Sequence, residues 1–255
     1  MRSLYGAIVN YKIKKYMVSV DRVYQRVLVL SNKEQRGYIT PQEFNLLANQ
    51  AQMDIFEQYF YDLNQFKRAP SNDTVYADMV HILEEKISLF EVAVGSSAVT
   101  GWGMDGSSIV IPDEVYRLSQ VRVGGFPVEI LPTKEFNMVR ESPLTAPTER
   151  RPIARRDFKG IIIMNGSGIV TPATHSINAS FIKRPALANW NFTMVGDTAI
   201  HNPTSPNHQD FELHPSEETE LVLKILTLSG ITIKDQGLYQ IGAGEDNKSI
   251  QQEKQ

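Results

Sequence analysis

One helix-start signal sets the character of the first third of the chain. Thr40-Pro41-Gln42-Glu43 offers a capping hydroxyl, a proline at the first helical position and a glutamate at the third. Behind it, Phe44, Leu47, Ala51, Ile55, Tyr59 and Leu63 form one apolar stripe, widened by Phe56 and Phe60. The pattern predicts a helix running to about Phe66 and stopping before Pro70. Such a stripe needs partners to cover it. Val20, Val23, Tyr24, Val27 and Leu28 predict one over residues 18–31, broken by the polar stretch from Ser31 to Gly37. Asn72 or Asp73 caps another, with Val75, Met79, Ile82, Leu83 and Ile87 on its buried face.

The texture changes near Leu89. Short alternating runs between glycine-rich turns predict strands at Ser108–Ile111, Val115–Val123, Pro127–Leu131, Phe158–Met164, Ile169–Thr171, Ile177–Arg184 and Phe192–Val195. Thr133-Lys134-Glu135-Phe136 starts a short helix among them. Residues 142–156, punctuated by Pro143, Pro147 and Pro152, read as an extended arm or long loop, and Ala199–Asp210 as a polar loop. A last helix begins around His214-Pro215-Ser216-Glu217-Glu218, with acidic residues in its first turn and Gly230 near its end. The expected fold class is therefore α+β: an N-terminal helical part, a β-rich middle with a long Pro/Arg-rich arm, and a C-terminal helix. The expected division is an extension at 1–16, a helical part at 17–90, a β-rich part at 91–212, a C-terminal helix and the start of the tail at 213–241 and a flexible tail at 242–255.

Composition narrows the function classes. The chain has 255 residues, 42% of them hydrophobic and 22% charged, enough to bury a core as one large or two small domains. The net charge of −3 gives no general attraction to nucleic acid. There is no cysteine, which excludes disulfides, thiolate metal sites and cysteine nucleophiles. No run approaches the ~20 apolar residues that span a bilayer. The apolar run after Met1 stops at Asn10 without a cleavage site, so residues 1–16 read as a poorly ordered extension, with Met17 the alternative start.

Motifs for chemistry are thin. Gly101-Trp102-Gly103-Met104-Asp105-Gly106 matches a dinucleotide fingerprint in letters, but a strand follows it where a helix is needed. It reads as a glycine-rich β-turn. His208 and Asp210 are the nearest thing to a metal pair and, with no further cluster, read as a solvated loop. Glu84/Glu85 and Glu217/Glu218 read as exposed or dipole-compensating charge. No catalytic, cofactor or metal residue is assigned, and no enzyme activity is expected. The basic run is the one feature with a functional reading. Arg150, Arg151, Arg155, Arg156 and Lys159 fall within ten residues. They make either a docking arm for an acidic partner or DNA, or a solvated loop paired with Glu141, Glu149 or Asp157.

Several segments together resemble structural proteins of tailed bacteriophages. They are Val23-Tyr24-Gln25-Arg26-Val27-Leu28, the stretch from Asn32 to Asn45 and Ala48-Asn49-Gln50-Ala51-Gln52. Phe181-Ile182-Lys183-Arg184-Pro185 with Trp190, Asp210–Ser216, Glu220–Leu226 and Gly230–Asp235 add to the likeness. The group they resemble is the neck ring proteins, or head-to-tail connectors, of short-tailed, crAss-like phages. That resemblance implies a virion component made in the host bacterial cytoplasm. It implies a homo-oligomeric ring, typically of twelve copies, stacked on the portal or a neighbouring ring, with genomic DNA passing through the lumen. A net negative subunit suits a channel that must not grip DNA. The alternatives are a tail-tube or tail-hub component, and a small nucleic-acid-binding module using the basic arm.

Overall fold

The computed structural model describes residues 17–33, 39–68, 74–94, 102–196 and 198–232. The expected extension, the caps at Asn72 and Asp73 and the tail after Gly242 lie outside them. The fold is α+β, with N-terminal helices and a C-terminal helix. The chain forms two compact units, Phe90–Arg184 and the two segments flanking it.

The flanking segments build a helical unit. Its helices are α1 (Val20–Lys33), α2 (Pro41–Arg68), α3 (Thr74–Ser88) and α5 (Glu218–Thr232), the last preceded by a 3₁₀ turn, Pro215–Glu217. Thr40 starts α2 as a capping box: its N–H and hydroxyl donate to Glu43 Oε2 at 3.0 and 2.8 Å, and its Oγ1 accepts from Glu43 N–H at 3.3 Å. Phe44, Leu47, Ala51, Ile55, Phe56 and Tyr59 are buried as the stripe requires, with Val20, Val23, Tyr24 and Val27 from α1. Leu221, Val222, Ile225 and Leu226 of α5 complete the core. One expectation fails here: Ile82 is exposed, lining a small cavity with residues of α2, α3, the 3₁₀ turn and α5. Gly230 lies two residues before Thr232, where α5 stops.

Residues 185–213 belong to this helical unit and not to the β-rich part. The reason is a ladder of amides on α2. Asn45, Asn49 and Gln52 recur at helical spacing on one face. Asn49 Oδ1 accepts from Ala188 N–H at 2.8 Å and its Nδ2 donates to Ala188 O at 2.9 Å. Asn45 treats Trp190 the same way, accepting at 2.8 Å and donating at 3.3 Å. Gln52 Nε2 donates to Ala186 O at 2.8 Å, while Glu212 Oε2 accepts from Ala186 N–H at 2.8 Å. Four helical residues rise about 6 Å and two extended residues about 6.6 Å, so the two periods nearly match. The side chains of a helix thus act as a neighbouring strand would. Trp190, 2% exposed, is held at the end of this segment. Its Nε1 donates to Asp21 Oδ1 at 2.9 Å, and its ring packs on Tyr24, Phe192 and His201. Beyond it, β11 (Phe192–Val195) pairs with β12 (Thr198–His201), so part of the expected loop at Ala199–Asp210 is a strand.

The second unit is two packed sheets. The first holds β1 (Glu91–Val94), β10 (Ile177–Lys183), β4 (Val115–Val123) and β5 (Phe126–Pro127) in that order, all antiparallel. Register jumps from Ser180↔Gln120 to Phe181↔Leu118, leaving Ser119 as a bulge. That is why Leu118 and Val121, three apart, both reach the core. The second sheet orders β2 (Met104–Asp105), β3 (Ser108–Val110), β8 (Gly160–Asn165), β7 (Ile153–Arg156) and β6 (Glu129–Leu131), with β9 (Gly168–Ile169) on β8. β6 and β7 are parallel, joined through α4 (Thr133–Glu141). Ile109, Ala154, Ile161 and Ile163 from this sheet meet Val121, Val123, Ile177 and Ala179 from the other.

Asn49→Ala leaves the N–H and C=O of Ala188 unpartnered and is expected to cost roughly 2–4 kcal/mol, read from the urea midpoint by circular dichroism. Asn49→Asp keeps the acceptor, loses the donor, and recovers only part. Acid stability carries a second expectation. The backbone and then the hydroxyl hydrogen bond from Thr40 hold the Glu43 carboxyl below its ordinary pKa. A lowered folded-state value means stability that is present above the ordinary carboxylate range and lost as pH falls through the lowered one. The advantage of the native chain over Glu43→Gln should therefore vanish at acid pH in parallel urea titrations.

Candidate interface surface

The basic run is not one patch. Residues 142–156 are not an extended arm: they form the connection of the β6–α4–β7 crossover, and their last four residues are β7, inside the sheet. Thr148 and Arg151 close a small turn, each backbone N–H donating to the other's carbonyl at 3.2 and 3.1 Å. Glu149 pins this turn to the β8–β9 hairpin, accepting from Ser167 Oγ at 2.5 Å and Asn165 Nδ2 at 3.0 Å. Asn165 is buried and its amide also meets His175 Nε2 at 3.0 Å. A Pro-rich segment is thereby ordered by polar contacts that the sequence pattern does not announce.

Strand geometry then separates the arginines. β7 lies between Arg151 and Asp157, so Arg150 and Arg151 stand at one end of the strand and Arg156 at the other. Arg150 is exposed at the turn, and Arg151 Nη2 lies 3.7 Å from Glu129 Oε2. Arg155 is half-buried, its guanidinium 5.9 Å over the Phe136 ring of α4. Arg156 is exposed at the end of β7. Lys159 Nζ donates to Asp105 Oδ2 at 2.6 Å, and that hydrogen bond, followed by the charge of Asp105, raises the lysine above its ordinary pKa. Two of the five cations are thus paired, with Glu129 and Asp105 rather than with Glu141, Glu149 or Asp157.

What remains is a knob. Asp157 and Gly160 exchange backbone hydrogen bonds at 2.8 and 3.3 Å, a tight turn with Phe158 and Lys159 at its tip. Phe158 is 96% exposed. Gly160 is required beneath it, because a Cβ there would fall 1.8 Å from Ile109 O of the adjacent strand. Leu144, in the crossover connection, is 93% exposed. An aromatic ring and arginines held out in water are the composition of interface centres.

The other sequence candidates fall into place as structure. Met104–Asp105 and Ser108–Val110 pair as a hairpin through Gly106 at φ 61°, so the glycine-rich stretch is a β-turn there. His208 is not in a solvated loop. It is half-buried, its Nε2 lies 3.6 Å from Asp210 Oδ1, and its ring meets that of His201 edge-on at 5.1 Å. Asp210 Oδ1 accepts from Val20 N–H at 3.0 Å, which ties this corner to the start of α1. Among the described residues no cluster of three or more groups fits a metal ion. Glu217 is not an exposed charge: it is buried and pairs with Lys86 at 2.6 Å, and that ammonium lies 5.5 Å over the Tyr59 ring. Glu218 pairs with Arg22 and Arg26 of α1 at 3.3 and 2.9 Å. Among the described residues no helix is long and apolar enough to cross a membrane.

No known family model and no curated protein sequence matches this chain.

Lys86→Ala strands the Glu217 carboxylate in the core and is expected to cost about 3–5 kcal/mol in denaturant unfolding. Replacing both partners, Lys86→Met with Glu217→Gln, should restore most of that loss.

Proposed function

We propose that this chain is a structural subunit of a bacteriophage virion, one copy of an oligomeric ring in the head-to-tail connector through which DNA passes. The observation that carries this reading is the exposure of Phe158 and Leu144, both above nine-tenths, on hydrogen-bonded turns of a sheet unit. Large apolar side chains fixed in that way are held ready for a protein neighbour. The splitting of the basic run also favours a protein neighbour over nucleic acid. Phosphate tracking needs a continuous positive field, and here two cations are already paired within the same unit. The sequence resemblance to neck ring proteins supplies the class of particle.

The work such a subunit does is geometric. Each copy presents surfaces to its neighbours and leaves a lumen, and its partners are further copies of itself and the portal or an adjacent neck ring.

The test is native mass spectrometry of the full chain, alone and mixed with the portal ring of the same phage. A closed oligomer, or a portal complex of fixed high copy number, is expected. A monomer that ignores the portal overturns the reading.

A further inference from the structure

The two units carry opposite charge. Phe90–Arg184 has eleven Lys and Arg against nine Asp and Glu, a net of +2. The flanking segments have fifteen against twenty, a net of −5. Within the helical unit, α2 carries Glu43, Asp54, Glu57 and Asp62 and no base before Lys67. Asp62 is buried. The other three acids are exposed, on a face shared with Leu46, 73% exposed, and Tyr61, 65% exposed. Leu46 and Tyr61 lie fifteen residues apart, about 22 Å along the helix. This outer face of α2 is an acidic stripe with an apolar side chain towards each end.

From this juxtaposition we infer that the Arg156–Phe158 knob of one copy docks on the acidic outer face of α2 in the next copy, head to tail around the ring. The inference rests on the ring reading above and names its subunit contact. Three features support a second copy as the occupant. Both halves of the contact are present on every chain, and they are different surfaces, as a cyclic interface requires. Charge complements charge at the level of the two units, +2 against −5, with Asp157 beside Arg156 in the knob, and a two-fold contact through α2 would set acid on acid. Apolar groups also match: the Phe158 ring can pack beside Leu46, and Arg156 can meet Glu57. Docking removes the ring of Phe158 from water.

The experiment uses the full chain with two exposed-site variants, Arg156→Glu and Glu57→Lys, followed by native mass spectrometry and light scattering. Each variant alone is expected to raise the concentration for half-assembly at least about tenfold, since like charges then face each other across the contact. Mixed in equal amounts, the two should assemble again as alternating rings, because each reversed surface meets its reversed partner. Phe158→Ser, which changes no charge, should weaken the native assembly. Circular dichroism confirms folding, and weakening of the native oligomer by salt gives the same reading without any substitution.

Native rings that ignore both reversals overturn the contact and leave the ring reading standing. Single variants that fail, and whose mixture also fails, overturn the contact as well. A native chain that closes no oligomer, alone or with the portal, overturns the ring reading and the contact together. Loss of duplex DNA binding in Arg156→Glu with assembly unchanged would make the knob a nucleic-acid contact and overturn the proposal.

Discussion

The pairing of α2 side-chain amides with the backbone of residues 186–190 holds the helical unit together as one body. An extended segment inside a helical core has N–H and C=O groups that must be satisfied. On one side Asn189 pairs with Gln209 in a single antiparallel bridge. Asn45, Asn49 and Gln52 supply the missing edge, each offering a donor and an acceptor as a peptide group does. Everything downstream hangs from that seam. Trp190 is delivered to the pocket formed with Tyr24 and Phe44, and Phe211 is bridged to Val18. The chain is then aimed into the 3₁₀ turn, where Glu217 finds Lys86 and Glu218 finds the two α1 arginines.

The helices were the most readable part because their period repeats over many residues. The stripe from Phe44 to Tyr59 and the Thr40 cap are both local signals, and both appear as read. Strand positions were also readable; their partners were not. Pro127–Leu131 looks like one strand, yet Val128 breaks it and its two halves lie in different sheets. The parallel pairing of β6 with β7 was hidden by a Pro-rich connection that looked like a free arm. Ile200 sits among polar residues, so β12 looked like loop. The amide seam left one usable sign: three uncharged amides at helical spacing, bordering an apolar stripe. Uncharged amides at such positions are there to bond to something.

The basic run shows how sequence proximity misleads on a strand. Five cations within ten residues suggest one field. Extended chain spreads them over both ends of β7, and its alternation sends neighbours to opposite faces. Arg155 turns to the Phe136 ring of α4, Arg151 and Lys159 find acids far away in sequence, and only the ends are left outward. The feature that stands out in three dimensions is Phe158, which the sequence showed only as the first residue of a strand. Its exposure depends on a closed turn, and that turn depends on Gly160.

The β-sheet unit is contiguous in the chain, whereas the helical unit is split around it, and this orders events during synthesis. The sheet unit can fold as soon as Arg184 clears the ribosome. The helical unit cannot, because the stripe on α2 has neither Trp190 nor α5 to cover it. Translation of the 95 intervening residues takes roughly 5–20 s at about 5–20 residues per second. Through that interval α1 to α3 lack Trp190 and α5 to cover their apolar faces.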